Sequence, residues 1–166
     1  MSESVSRITA EYVDLEDRIR LIAGTPDAPS KVIWLTQRLL NRLVPVIVQT
    51  LDQQVGDGRM VDVMQSFAQQ AAEVDLVAEA PVALSPQSDA FLAHAVDLAQ
   101  SESGLSLTFR SAGEHSVTVT LPFKQLRQWL GIVHGLYLHA GWPVGVWPDW
   151  VQLGMPANAP HAMVLH

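Results

Sequence analysis

From Leu105 to Leu121 the chain alternates. Leu105, Leu107 and Phe109 take turns with Ser106, Thr108 and Arg110. After Ser111-Ala112-Gly113-Glu114 the pattern resumes, with Val117, Val119 and Leu121 set against Ser116, Thr118 and Thr120. A period of two puts each set on its own face, which predicts an antiparallel hairpin with one apolar face and one Ser/Thr/Arg face. A lone hairpin is marginal in water, so this one needs a further strand and an apolar cover. Phe91–Ala99 is the strand expected, because Leu92, His94, Val96 and Leu98 alternate with Ala93, Ala95 and Asp97. A helix opened by Ser85-Pro86 is the other reading of that segment.

The cover comes from three segments with helical spacing. Ser30 is placed to cap a helix from Lys31 to about Gln54, with Val32, Ile33, Leu35, Leu39, Leu40, Leu43, Val46, Ile47 and Leu51 as its apolar set. Pro45 lies inside it and predicts a kink, or a division, near Asn41. After the Gly56-Asp57-Gly58 breaker, Met60, Val63, Met64, Phe67, Ala71 and Val74 recur at three- and four-residue steps. They predict a second helix over Met60–Val74 that buries those residues and forms a helical hairpin with the first. Ala78–Ser88 reads as a long loop. Pro122 opens a third helix from Phe123 to about Ala140, stopped by Gly141.

Upstream, Asp17–Gly24 alternates polar and apolar residues and predicts a strand. Residues 1–15 read as a partly ordered acidic segment, with Glu11, Asp14, Glu16 and Asp17 as a solvated cluster. The fold class expected is α+β: an antiparallel sheet of about four strands, a helical hairpin, a C-terminal helix and an irregular Trp/Pro-rich tail. The domain spans 16–141, and 142–166 packs on it as the tail. At 166 residues one domain is expected, burying roughly 70% of its unfolded surface without a covalent staple.

Composition narrows the function classes. The chain has no Cys, which removes disulfides, thiolate metal sites and a Cys nucleophile. It fits a cytoplasmic setting, and the Met1-Ser2-Glu3-Ser4 start lacks the pattern of a secretory signal. Ten basic residues against 17 acidic give a formal charge of −7, and the Lys and Arg are scattered. Phosphate neutralisation needs a basic stripe, so no nucleic-acid partner is expected. No membrane association is expected either, since no apolar run is long enough to span a bilayer.

No sequence motif names a catalytic residue. There is no nucleophile elbow, no phosphate loop and no dinucleotide fingerprint. Among six His, His134 and His139 are five apart, about 140° around a helix, off the shared face that ligands four apart would occupy. His161 and His166 repeat that separation. Metal ligation by His94, His115, His134 or His139 with Asp97 or Glu114 would need the fold to gather them. No catalytic, cofactor-binding or metal residue is therefore assigned, and no cofactor is expected.

Two features point to contacts. Trp142, Trp147 and Trp150 fall within nine residues around a repeated Trp-Pro step. They read as a plug over the core edge or as a docking surface, with at least one ring packed and another partly exposed. Gly131 and Gly135 place two costly Gly on the third helix, which implies close approach of another backbone. That approach is either packing within the chain or a homodimer contact. The reading that follows is a non-catalytic interaction or adaptor domain, binding a protein partner or itself as a homodimer. The alternative is a small-molecule-binding or hydrolytic protein, with a pocket between the helical hairpin and the sheet, a Trp at its mouth and a His for acid–base work.

Overall fold

A computed structural model describes residues 5, 7–56, 58–152 and 163–165, the last three as backbone only. The architecture is α+β, with two sheets around a buried helix. The first sheet holds β1 (Arg7–Val13), β2 (Arg18–Gly24), β3 (Lys31–Leu35) and β4 (Asp89–Leu92), with the short β8 (Met163–Leu165) on its edge, in the order β4-β3-β2-β1-β8. All its pairings are antiparallel except β3 with β4, which run parallel. The second sheet is the antiparallel meander β5 (Ala95–Gln100), β6 (Gly104–Arg110) and β7 (Ser116–Pro122).

One stretch joins the two sheets. The Ala93 amide donates to the Trp34 carbonyl on β3, and the His94 amide donates to the Arg110 carbonyl on β6. The segment expected as a strand over Phe91–Ala99 is thus two strands, each feeding a different sheet.

The hairpin has the register its alternation implies. Leu105 faces Leu121, Leu107 faces Val119 and Phe109 faces Val117. On its outer face Ser106 meets Thr120 and Thr108 meets Thr118, each through a 2.8 Å hydroxyl contact.

Two upstream expectations give way. Residues 7–13 form β1, with Ile8, Thr9 and Ala10 all buried, so the ordered sheet begins inside the segment read as acidic and partly ordered. Lys31–Leu35 is β3 and not the start of a helix. Its β-branched Val32 and Ile33 pair with Ile22 and Leu21 in a strand covered on both faces. The helix α1 starts later, at Gln37–Val55, capped by Thr36, whose hydroxyl accepts from the Leu39 amide at 3.1 Å. Pro45 sits within it without dividing it.

The helix α3 (Phe123–Ala140) is the centre of the molecule. Every residue from Leu126 to His134 is buried, then Leu136 and Tyr137. It is enclosed by β1, β6, β7, β8, the second helix α2 (Val61–Val74) and the single turn α4 (Asp149–Gln152). A helix buried on all sides is a core element, and the packed Trp129 in its middle is consistent with that.

Candidate functional site

The C-terminal end of α3 sets the tail. Gly141 adopts a left-handed conformation (φ 71°), its amide donates to the Leu138 carbonyl, and the next amide, of Trp142, donates to the Tyr137 carbonyl. This is the Schellman pattern, and it turns Trp142 back onto the Tyr137 ring, 5.0 Å away and nearly perpendicular. The Trp142 indole N–H donates to Asp17 at 2.9 Å, and the Tyr12 hydroxyl donates to the same carboxylate at 2.7 Å. Those bonds, Tyr12 first, hold the Asp17 carboxyl below its ordinary value, and the same carboxylate pushes Tyr12 up to about 12. Asp17 is therefore a peg for the tail and not one of a diffuse solvated cluster. Glu11 is likewise engaged, by Arg20, whose guanidinium also lies 5.6 Å over the Trp34 ring.

Trp147 stands edge-on to His134 at 5.2 Å and to Tyr137 at 5.3 Å. Trp150 lies beneath the Arg127 guanidinium at 5.5 Å, on the α4 turn that follows Pro148. Trp142, Trp147 and Trp150 are only 7%, 4% and 4% exposed. The expectation that one ring stays partly exposed does not hold, and the described part of the tail, residues 142–152, plugs the core with these rings. The tail is also less irregular than its Pro content implied, since Pro at a helix start costs nothing and α4 begins directly after one.

Gly131 has an equally internal role. A Cβ there would stand 2.7 Å from a Glu73 carboxylate oxygen and 3.4 Å from the Gln69 amide nitrogen, both on α2. What approaches this Gly is therefore not another backbone, as expected, but the side chains of α2 in the same chain. Gly135, one turn on, is half-buried. His161 and His166 lie outside the described residues.

What sequence reasoning missed is the orientation of α2. The residues it was expected to bury are those it exposes: Met60 is 59% exposed, Val63 43%, Met64 51%, Phe67 69% and Val74 84%, with Ala71 also outward. The inner face is instead Gln65, Gln69 and Ala72. It is fastened by polar contacts. Gln65 donates to Asp52 on α1 at 2.8 Å and accepts from Arg127 on α3. Gln69 donates to the Arg127 carbonyl at 2.8 Å and to Glu73. Gln128 donates to the Ala72 carbonyl at 2.8 Å. A chain Asp52–Gln65–Arg127–Trp150 thereby ties all four helices together. Burial pulls the Arg127 guanidinium down to about 10, opposed by the Asp52 charge, so it stays cationic near neutral pH. Burial raises the Glu73 carboxyl, partly offset by its bond from Gln69.

The reason for the inversion lies in the core's supply of apolar groups. Residues of α1, α3, both sheets and three tail Trp rings already form the hydrophobic core. Room remains at the α3 surface around Arg127 and Gln128, which asks for amides and not for Met or Phe.

His134 is 2% exposed, and neither ring nitrogen meets a hydrogen-bond partner among the described residues. Burial holds its pKa below the ordinary 6.5. A depressed folded value means that the unfolded chain takes up the proton first. Stability is therefore full above pH 6.5 and declines as pH falls below it toward the folded value. Denaturant midpoints between pH 7.5 and 5.5 should fall for the wild type and fall less for His134→Leu. Parallel curves for the two proteins would contradict the assignment.

The rest of the surface gathers less chemistry. A cavity of about 560 Å³ opens between the start of α1 and the strand ends, with Arg38, Arg42, His94 and Ser111 in its wall, and with neither a carboxylate nor any of the Trp rings. A His115–Asp89 pair at 3.1 Å lies half-exposed on the sheet edge, stacked on Phe91. Among the described residues no three His, Asp or Glu come together closely enough to hold a metal ion. No helix among them is long and apolar enough to cross a membrane. In comparisons with known protein families, curated proteins and solved structures, the chain matches none.

Proposed function

We propose that this protein is a non-catalytic interaction module that docks a helical protein partner through the outward face of α2. The observation that carries the reading is the inverted helix. Met60, Met64, Phe67, Ala71 and Val74 follow one another in steps of four, three, four and three. That spacing is the seam of a two-helix contact, and it predicts a helix as the complementary shape. The energetics point the same way. A large apolar side chain gains about 1.5–3 kcal/mol on full burial, whereas a typical hydrogen bond contributes about 0.5–1.5 kcal/mol net. Facing inward with Gln65 and Gln69 while leaving Met64, Phe67 and Val74 in water therefore forgoes several kcal/mol, which a partner covering the seam would recover.

The small-molecule alternative keeps one observation in its favour, the cavity beside Arg38, Arg42 and His94. It lacks a carboxylate to pair with the His, which acid–base chemistry at that site would call for.

A photo-crosslinking amino acid tests the docking face. Placed at position 67 in the cells that make the protein, it should give a discrete covalent protein adduct. Placed at position 113, which is also exposed but lies away from α2, it should give none. No adduct at 67, or the same adducts at both, would contradict the reading.

A further inference from the structure

We infer that the occupant of the α2 seam is a second copy of this chain, lying antiparallel across a two-fold axis near Phe67–Ala71. The inference rests on the docking reading above and names its partner.

Three observations carry it. First, the seam is complementary to itself. In antiparallel pairing a large position on one helix meets a small one on the other. Phe67 then packs over the partner's Ala71, and Ala71 beneath the partner's Phe67, with Met64 against the partner's Val74 at either end. Second, the flanks of the seam are almost free of charge. Val61, Val63, Ala68 and Gln70 border it within the helix, and the charge just past its end, Asp75, is already paired with Lys124 at 2.6 Å. A protein of net charge −7 repels its own copy over most of its surface, so a neutral strip is where two copies can meet. A strongly charged partner would find nothing there to pair with. Third, direction is set by the ends. Antiparallel pairing moves the exposed Arg59 end of one helix toward the Asp75 end of the other and opposes the helix dipoles, which parallel pairing would align.

Met60, Met64, Phe67 and Val74 are 59%, 51%, 69% and 84% exposed, so each copy offers four large apolar side chains for the other to cover.

The test uses the full chain. Sedimentation equilibrium from about 1 to 200 µM should give twice the chain mass, within the range of modest interfaces. Phe67→Glu should give the single mass at every concentration. Because Phe67 is exposed, the variant keeps its circular dichroism spectrum and cooperative unfolding. A wild type that stays monomeric at 200 µM overturns the inference, and so does a Phe67→Glu variant that is folded and still dimeric. Orientation has its own readout, since the chain has no Cys. Under mild oxidation, Met64→Cys mixed with Val74→Cys should form the mixed disulfide faster than either forms with itself. Fast self-coupling of each alone would mean a parallel pair and contradict the arrangement. The adduct mass at position 67 separates this inference from the reading it rests on. Twice the chain supports both, another mass overturns the second copy and keeps the docking face, and no adduct overturns both.

Discussion

Trp147→Ala is expected to lower the free energy of unfolding by about 3–5 kcal/mol, the cost of emptying a fully packed aromatic site. The ring is 4% exposed and stands edge-on to both His134 and Tyr137, so its loss leaves a cavity walled by two side chains of the central helix. Little can collapse into that space, because the Tyr137 hydroxyl is tethered to Asn41 of α1 at 2.7 Å. A typical domain holds about 5–15 kcal/mol in total, so this one change takes a large share. Urea unfolding followed by circular dichroism measures it. Trp34→Ala is the control: that ring is only half-buried, beneath Arg20 on the outer face of the first sheet, and its loss should cost less. Equal losses for the two variants would mean that the tail is not part of the core.

Arg127→Ala should cost about 3–4 kcal/mol, for a different reason. The side chain is a buried cation held by the Gln65 carbonyl oxygen and the face of Trp150, and its stem fills space between α2, α3 and α4. Truncation removes the packing, the cation–π contact of about 0.5–2 kcal/mol and the donor to Gln65, which is left buried with an unmet acceptor. If the polar clasp is the origin of the cost, removing both partners should cost less than removing one. Arg127→Met combined with Gln65→Leu is expected to lie within about 1 kcal/mol of the wild type, as apolar replacement of a buried polar pair often does. A double variant as unstable as Arg127→Ala, its volume retained, would place the loss in the bonds and the cation–π contact themselves and not in an unmet partner, and would contradict this account.

Elements defined by local pattern were legible in the sequence. The β6–β7 hairpin follows from its period of two, and α3 follows from its Pro start and Gly stop. The Schellman turn at Gly141 is the physical content of that stop. Elements decided by tertiary context were not. Lys31–Leu35 carries an apolar run that fits a helix face or a two-sided strand equally well. The pairing with β2 and the parallel contact with β4 decide it, and neither is local. Asp17 looked like one acidic residue among several, and nothing near it in sequence announces a bond from Trp142, 125 residues away. The orientation of α2 shows the limit most clearly. Periodicity finds an amphipathic helix and assumes that the apolar stripe faces in. Which way it faces depends on what the other elements have already supplied to the core, here three Trp rings and a helix buried on every side. One signal was available: Gln65 and Gln69, four apart, give α2 a second face, polar but uncharged, which suits a hydrogen-bonded interior better than a solvated one.

The direction in which α2 faces is the claim on which the docking reading depends, and adjacent alanines test it. Ala71 lies on the outward seam and Ala72 is 3% exposed against α3. With no native Cys, Ala71→Cys and Ala72→Cys each carry a single thiol and change almost nothing else. Thiol labelling rates, normalised to the unfolded chain and measured at nanomolar concentration to keep copies apart, should differ by two orders of magnitude or more, on the scale of a local opening of about 3 kcal/mol, with position 71 fast and position 72 slow. Equal rates, or protection of 71 with rapid labelling of 72, would contradict the account.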